Sequence, residues 1–211
     1  MIGIVAKIAV AAGTLAVTGA AVVASKIKAA KDKALLESDM LGSVLVCGQT
    51  GVGKSSLINY IAGIDGLAKT ASGHSCTIGV REYPCDNEGI IFYECEGYYV
   101  GDGKLKEFQN RIKVFLKHHP ETESVWYCVN AGSERYTDAD KENIKKILRQ
   151  HREVSIIITK ADRATMDSFE KVIYEINQDF PELKVYACSN QKIPPEICRE
   201  SKSELLKLLK K

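Results

Sequence analysis

Eight consecutive residues, Gly48-Gln49-Thr50-Gly51-Val52-Gly53-Lys54-Ser55, have the types and spacing to hold a phosphate chain. They read G-x-x-x-x-G-K-S. Glycines at these places let the backbone curl until successive N–H groups point inward at phosphate oxygens. Lys54 reaches the β- and γ-phosphates, and the Ser55 hydroxyl is a ligand for Mg²⁺. The pattern carries this meaning only between a strand and a helix. Val44-Leu45-Val46-Cys47 is an apolar run of buried-strand character. Ser56-Leu57-Ile58-Asn59-Tyr60-Ile61 reads as the first turns of a helix, whose N-terminus adds a favourable field for an anion. A chance glycine-rich turn would have to reproduce all four fixed positions and both flanks. Gly48 to Ser56 are therefore the candidate phosphate-binding residues, with Lys54 also the candidate catalytic cation.

The elements that must position this loop follow from the rest of the chain. Apolar runs predict strands at 43–47, 78–84, 89–95, 124–129, 154–159 and 183–188. The second and third are joined by the turn signal Asp86-Asn87-Glu88-Gly89. Between them, 54–63, 104–118, 138–150, 166–179 and 195–210 read as helices. Phe169, Val172, Ile173 and Ile176 fall at i, i+3, i+4 and i+7, and Thr137 stands where an N-cap belongs. The repeated strand–helix units imply an α/β fold: a mainly parallel six-stranded sheet with helices on both faces, preceded by an N-terminal apolar helix.

The 211 residues are 45% hydrophobic and 27% charged, as in a globular domain. The net charge of +2 implies no general attraction to nucleic acid, and DNA is not an expected partner. Lys7, Lys26, Lys28, Lys31 and Lys33 face only Asp32, Glu37 and Asp39 in residues 1–40, so the whole basic excess lies there. The seven Cys are odd in number and form no C-x-x-C, so neither a complete disulfide framework nor a zinc site is suggested. Cys47, Cys95, Cys128 and Cys188 fall in or at the ends of strand-like runs and read as buried thiols of a reducing compartment.

Four further segments stand in order along the chain. They are Gly73-His74-Ser75-Cys76-Thr77-Ile78, Ile90-Ile91-Phe92-Tyr93-Glu94-Cys95-Glu96-Gly97, Thr159-Lys160-Ala161-Asp162 and Ala187-Cys188-Ser189-Asn190. With the phosphate loop they resemble the G domain of the translation-factor-related GTPases. Val125-Trp126-Tyr127-Cys128-Val129-Asn130-Ala131-Gly132-Ser133, followed by Thr137-Asp138-Ala139-Asp140, narrows the resemblance to the Era-like 50S ribosome-binding GTPases. It covers residues 42–190. The resemblance implies that Asp162 accepts from the guanine N1–H and exocyclic amine, that Lys160 lies along the base, and that Thr159 stands where Asn is commoner. Ser189 and Asn190 fall in the loop that contacts the guanine oxygen. Gly97 bonds the γ-phosphate. Glu94 holds Mg²⁺ with a carboxylate one methylene longer than the family's Asp. Thr77 is the switch threonine on Mg²⁺, with Thr70, Ser72 and Ser75 as competitors. Tyr98 occupies the place of the Gln that orients the attacking water, so hydrolysis is expected to be slow or to need help. On this reading, Glu94→Asp with Tyr98→Gln would raise the intrinsic rate.

The resemblance makes GTP or GDP and Mg²⁺ the expected ligands. A Mg²⁺-dependent GTPase switch competes with a pseudo-GTPase binding module, favoured by Glu94 and Tyr98. A phosphate-loop kinase or ATPase is opposed by Asp162, and a ribosome-associated role comes only from the family label. Three stretches are expected: 1–24 as an apolar helix, 25–40 as a charged linker helix and 41–211 as the nucleotide-binding domain. Ile8 to Ala24 carry no charge, which at ~1.5 Å per residue is near the lower limit for a bilayer. A membrane anchor, a cleaved signal peptide and a helix packed on a partner all remain open. The lysines after the run favour an anchor with the domain in the cytoplasm. Ala12, Ala16, Ala20 and Ala24 form a small-residue ridge that would let two copies pair.

Overall fold

The computed structural model describes residues 42–69, 79–101, 103–122, 124–131, 136–150, 153–188 and 205–206. The chain divides into two units, Met1–Met40 and Leu41–Lys211, and everything described belongs to the second. The expected anchor and linker helices at 1–24 and 25–40 lie outside the described residues. So does most of the helix expected at 195–210. Among the described residues, no helix is long and apolar enough to cross a membrane.

Among the described residues, six strands form one sheet: β1 Gly42–Gly48, β2 Val80–Cys85, β3 Ile90–Cys95, β4 Ser124–Asn130, β5 Glu153–Thr159 and β6 Lys184–Ala187. Their spatial order is β2-β3-β1-β4-β5-β6. Only the β2–β3 hairpin is antiparallel; the other pairs are parallel. Among the described residues, four α-helices alternate with them: α1 Lys54–Ala62, α2 Leu105–His118, α3 Asp138–Leu148 and α4 Met166–Asp179. β1 and β4 are buried along almost their whole length, as strands covered on both faces must be.

Period-two alternation sorts the core into two layers. Val44, Val46, Phe92, Trp126 and Cys128 face Leu57, Ile58 and Ile61 of α1, with Leu205 and Leu206 in the same cluster. On the opposite face Tyr93 packs its ring 4.8 Å from Phe115 of α2. The register places Val46 beside Glu94 of β3 and Gly48 beside Cys128 of β4. Gly48 ends β1 at φ 135°, where a Cβ would lie 2.4 Å from the Cys128 carbonyl oxygen. Only glycine lets the loop leave the sheet here.

The thiols Cys47, Cys85, Cys95, Cys128 and Cys188 are all buried, and none is in a disulfide. Burial pushes Cys95 from its ordinary value of 9.0 up to about 11, and Cys128 up to about 12. Unfolded thiols ionise near pH 9, whereas the folded ones stay protonated. Their contribution to stability is therefore complete below pH 9 and is lost as the pH rises through 11. Cys95 alone accounts for on the order of 2 kcal/mol. Urea midpoints are expected to fall between pH 8 and pH 11. In the folded protein at pH 8 all five thiols should resist iodoacetamide, and they should react once urea unfolds the chain. Rapid native alkylation at Cys95 or Cys128 would contradict the burial.

Candidate nucleotide-binding site

The site begins at the N-terminus of α1. That helix starts on Gly53 with no side-chain cap and no acidic residue in its first turn. By contrast, α3 and α4 start on Thr137 and Thr165, whose hydroxyls accept from Asp140 N and Ser168 N. The first N–H groups of α1 are thus left to an external acceptor, and the field there favours an anion. Lys54 opens the helix and is 6% exposed. Its Nζ donates to the carbonyls of Gln49 (2.8 Å) and Gly48 (3.2 Å), which hold the ammonium inside the loop.

Ser55, next in α1, donates its hydroxyl to Glu94 Oε1 at 2.6 Å. Glu94 is 2% exposed, and its other oxygen is buried with no hydrogen-bond partner. A buried carboxylate oxygen without a donor is costly unless a cation takes it. One hydroxyl and one carboxylate oxygen form a hard donor pair of the kind Mg²⁺ prefers. The residues present therefore fit the metal, which Ser55 and Glu94 would hold, and the extra methylene of Glu94 does not keep the carboxylate from Ser55. Glu94→Gln is expected to raise the Mg²⁺ concentration needed for half-maximal nucleotide retention by roughly tenfold. Off-rates of a fluorescent GDP across a Mg²⁺ series check this; an unchanged Mg²⁺ dependence would remove Glu94 from the metal site.

Gly97 follows two residues after β3 and lies against the loop. A Cβ there would sit 2.6 Å from Thr50 N and 2.7 Å from Thr50 Oγ1. Thr50 N donates to the Tyr98 carbonyl at 2.9 Å, and the Thr50 hydroxyl is buried without a partner. The direction of the Tyr98 side chain changes the outcome expected of the paired substitution. The side chain is 1% exposed, packs its ring 4.7 Å from Phe108 and donates its hydroxyl to Asp140 Oδ1 at 2.7 Å. It points into the α2–α3 layer. Tyr98→Gln would break a buried hydrogen bond, so the paired substitution with Glu94→Asp is now expected to lower activity rather than raise it.

The base end is built by β5 and α1. Thr159 ends β5, and its single hydroxyl proton is shared between the Val52 and Val129 carbonyls, locking the loop to the sheet. Lys160 adopts φ 54°, unusual for a residue with a side chain, and donates to the Gly51 carbonyl at 2.6 Å. A pocket beside it is walled by Gly53, Ser56, Leu57, Tyr60, Lys160 and Asp162, with Cys188 at its edge. The Asp162 side chain is 9% exposed, with Arg163 Nε 3.7 Å away. Leu57 and Tyr60 were not singled out in the sequence, although their i, i+3 spacing along α1 places them on one face. The structure brings Gly48 to Ser56, Glu94, Gly97, Thr159, Lys160 and Asp162 to one edge of the sheet. Thr77, Ser189 and Asn190 lie outside the described residues.

This sheet order, with a glycine-rich loop between β1 and an uncapped α1, defines a phosphate-loop nucleotide-binding protein. The family model described as 50S ribosome-binding GTPase matches residues 43–160, and the chain belongs to that family. Its reaction is GTP hydrolysis to GDP and phosphate. "Probable GTP-binding protein EngB" of Wolbachia pipientis subsp. Culex pipiens (strain wPip) is 23% identical over 154 residues, 72% of this chain and 78% of that protein. The protein of the same name from Oenococcus oeni (strain ATCC BAA-331 / PSU-1) is 27% identical over 141 residues, 65% of this chain and 70% of that one. Among solved structures, Aquifex aeolicus Era bound to GDP·AlF4⁻ superposes with a TM-score of 0.58 at 24% identity, covering 80% of this chain. This chain spans 56% of that Era chain. Toc33 from Arabidopsis thaliana with Mg²⁺ and GMPPNP gives 0.53 at 16% identity, with 84% and 85% covered.

Proposed function

We propose that this GTPase works as a molecular switch with slow intrinsic hydrolysis, tethered to a membrane through residues 1–24 with its nucleotide site in the cytoplasm. The observation that carries the switch reading is the pairing of an uncapped α1 N-terminus and buried Lys54 with a base pocket that ends on Asp162. Backbone N–H groups of the loop bind and orient the phosphates, and Lys54 places a positive charge where charge develops on the transferred group. Mg²⁺, when bound, neutralises phosphate charge. Asp162 accepts from the guanine edge, and the Lys160 stem covers the base.

Slow turnover is supported by Tyr98. The side chain after Gly97 is turned into the core and cannot orient a water, so that task falls to another residue, a partner or a second copy. The tether rests on the apolar composition of residues 1–24 and the lysines that follow them. A ribosome-associated role is the second reading, favoured by the family description. Single-turnover phosphate release from GTP by the full chain tests the first reading. Slow, Mg²⁺-dependent release of one phosphate per site supports it; GTP retained intact over hours supports a binding module instead. Recovery of the full chain in the soluble fraction after a carbonate wash would remove the tether.

A further inference from the structure

Asp140 sits in the first turn of α3 and is 1% exposed. Its two oxygens accept five hydrogen bonds. Oδ1 takes the hydroxyls of Tyr98 and Tyr127, each at 2.7 Å. Oδ2 takes Gln49 Nε2 at 2.7 Å, Thr137 Oγ1 at 2.8 Å and Thr137 N at 2.9 Å. Burial, then the charge of Asp140, pushes both phenols up, so both stay donors. Thr137 and Asp140 form a capping box, which explains one oxygen. It does not explain why the same carboxylate reaches Gln49, the second residue of the phosphate loop, and Tyr98, the residue after Gly97.

Those two contacts close a ring. Thr50 N donates to the Tyr98 carbonyl, so the segment after β3 is tied to the phosphate loop once through its backbone and once through Asp140. The interface between them has no slack, because even a methyl group on Gly97 would clash with Thr50. In switch GTPases the corresponding segment orders on contact with the γ-phosphate, and ordering it opposes binding.

Resting on the guanine-nucleotide reading above, we propose that Asp140 is a positioning residue of the nucleotide site. Its carboxylate straps Gln49 to Tyr98 and keeps Gly97 docked on the phosphate loop before a γ-phosphate arrives. Cutting the strap then penalises a triphosphate, which needs Gly97 in place, and spares a diphosphate, which does not.

The test uses the full chain and three substitutions. Asp140→Asn keeps an acceptor for the two tyrosines and turns an amide toward Gln49. Tyr98→Phe keeps the ring on Phe108 and removes the hydroxyl. Gln49→Met removes the loop donor at similar volume. GMPPNP and GDP affinities are measured for each, together with hydrogen exchange at the Thr50 amide in nucleotide-free protein. Each variant is expected to weaken GMPPNP roughly tenfold and GDP less than about threefold, and to speed Thr50 exchange roughly tenfold. Ile147→Val trims the core side of the same helix and should leave the GMPPNP-to-GDP ratio unchanged. Equal losses for both nucleotides, or unchanged Thr50 exchange, overturn the strap. If the unsubstituted chain binds neither nucleotide, the guanine-nucleotide reading fails, and Thr50 exchange alone decides the strap. If Asp140→Asn does not fold, the other two variants decide it.

Discussion

Lys54→Met is expected to weaken GTP and GDP binding by roughly a thousandfold, with little change in fold. The ammonium is buried inside the loop and already aimed by the Gly48 and Gln49 carbonyls. It therefore meets phosphate without a large ordering cost. A charge-assisted hydrogen bond contributes about 1.5–3 kcal/mol, and two such bonds to phosphate oxygens give about 4 kcal/mol. That converts to about three decades of affinity. Methionine matches the stem in length and removes the charge, so the cavity stays filled. Titration calorimetry of both nucleotides at fixed Mg²⁺, with thermal unfolding as the control, measures the effect. An affinity within threefold of the unsubstituted chain would mean that this loop does not hold phosphate.

The second large effect is at the base. Asp162→Asn is expected to lower GTP affinity by about 3 kcal/mol, roughly a hundredfold, and to raise affinity for XTP. A carboxylate accepts twice, from N1–H and from the exocyclic amine of guanine. An amide offers one acceptor and one donor, which suits the oxygen that replaces that amine in xanthine. The side chain is 9% exposed, so a guanine donor facing the new amide would find little water to compensate. Competition of XTP against GTP on the substituted chain reads this directly. A variant that still prefers GTP would take base recognition away from Asp162.

The loop and the base end were legible in the sequence because their chemistry is local. A glycine-rich turn between a strand and a helix, and a Thr-Lys-Ala-Asp at a strand end, need only their own neighbours to be interpreted. β1, β3, β4 and β5 showed as apolar runs because the centre of the sheet is covered on both faces. The α4 boundaries showed because Phe169, Val172 and Ile176 repeat at helical spacing and are buried. Glu94 was named from its place before Gly97. Its contact with Ser55 follows from alternation, which puts it on the α1 face with Phe92 and opposite Val46. The role of Tyr98 was not legible. Its position matched that of a water-orienting residue, but a side chain's direction is set by the layer it can pack into. The hydroxyl found Asp140, 42 positions away. Asp140 itself stood in the sequence only as the end of the Thr137-Asp138-Ala139-Asp140 segment. The contacts that make it a hub come from Gln49, Tyr98 and Tyr127, which only the folded sheet brings together.

Binding of GTP and ATP to the full chain, titrated side by side in Mg²⁺ and again in excess EDTA, tests the central claim most directly. The site described here predicts one GTP per chain, ATP weaker by roughly a hundredfold or more, and a marked loss of GTP affinity when Mg²⁺ is removed. Equal affinity for ATP, or GTP binding indifferent to Mg²⁺, would contradict a guanine-nucleotide site built on Lys54, Ser55, Glu94 and Asp162.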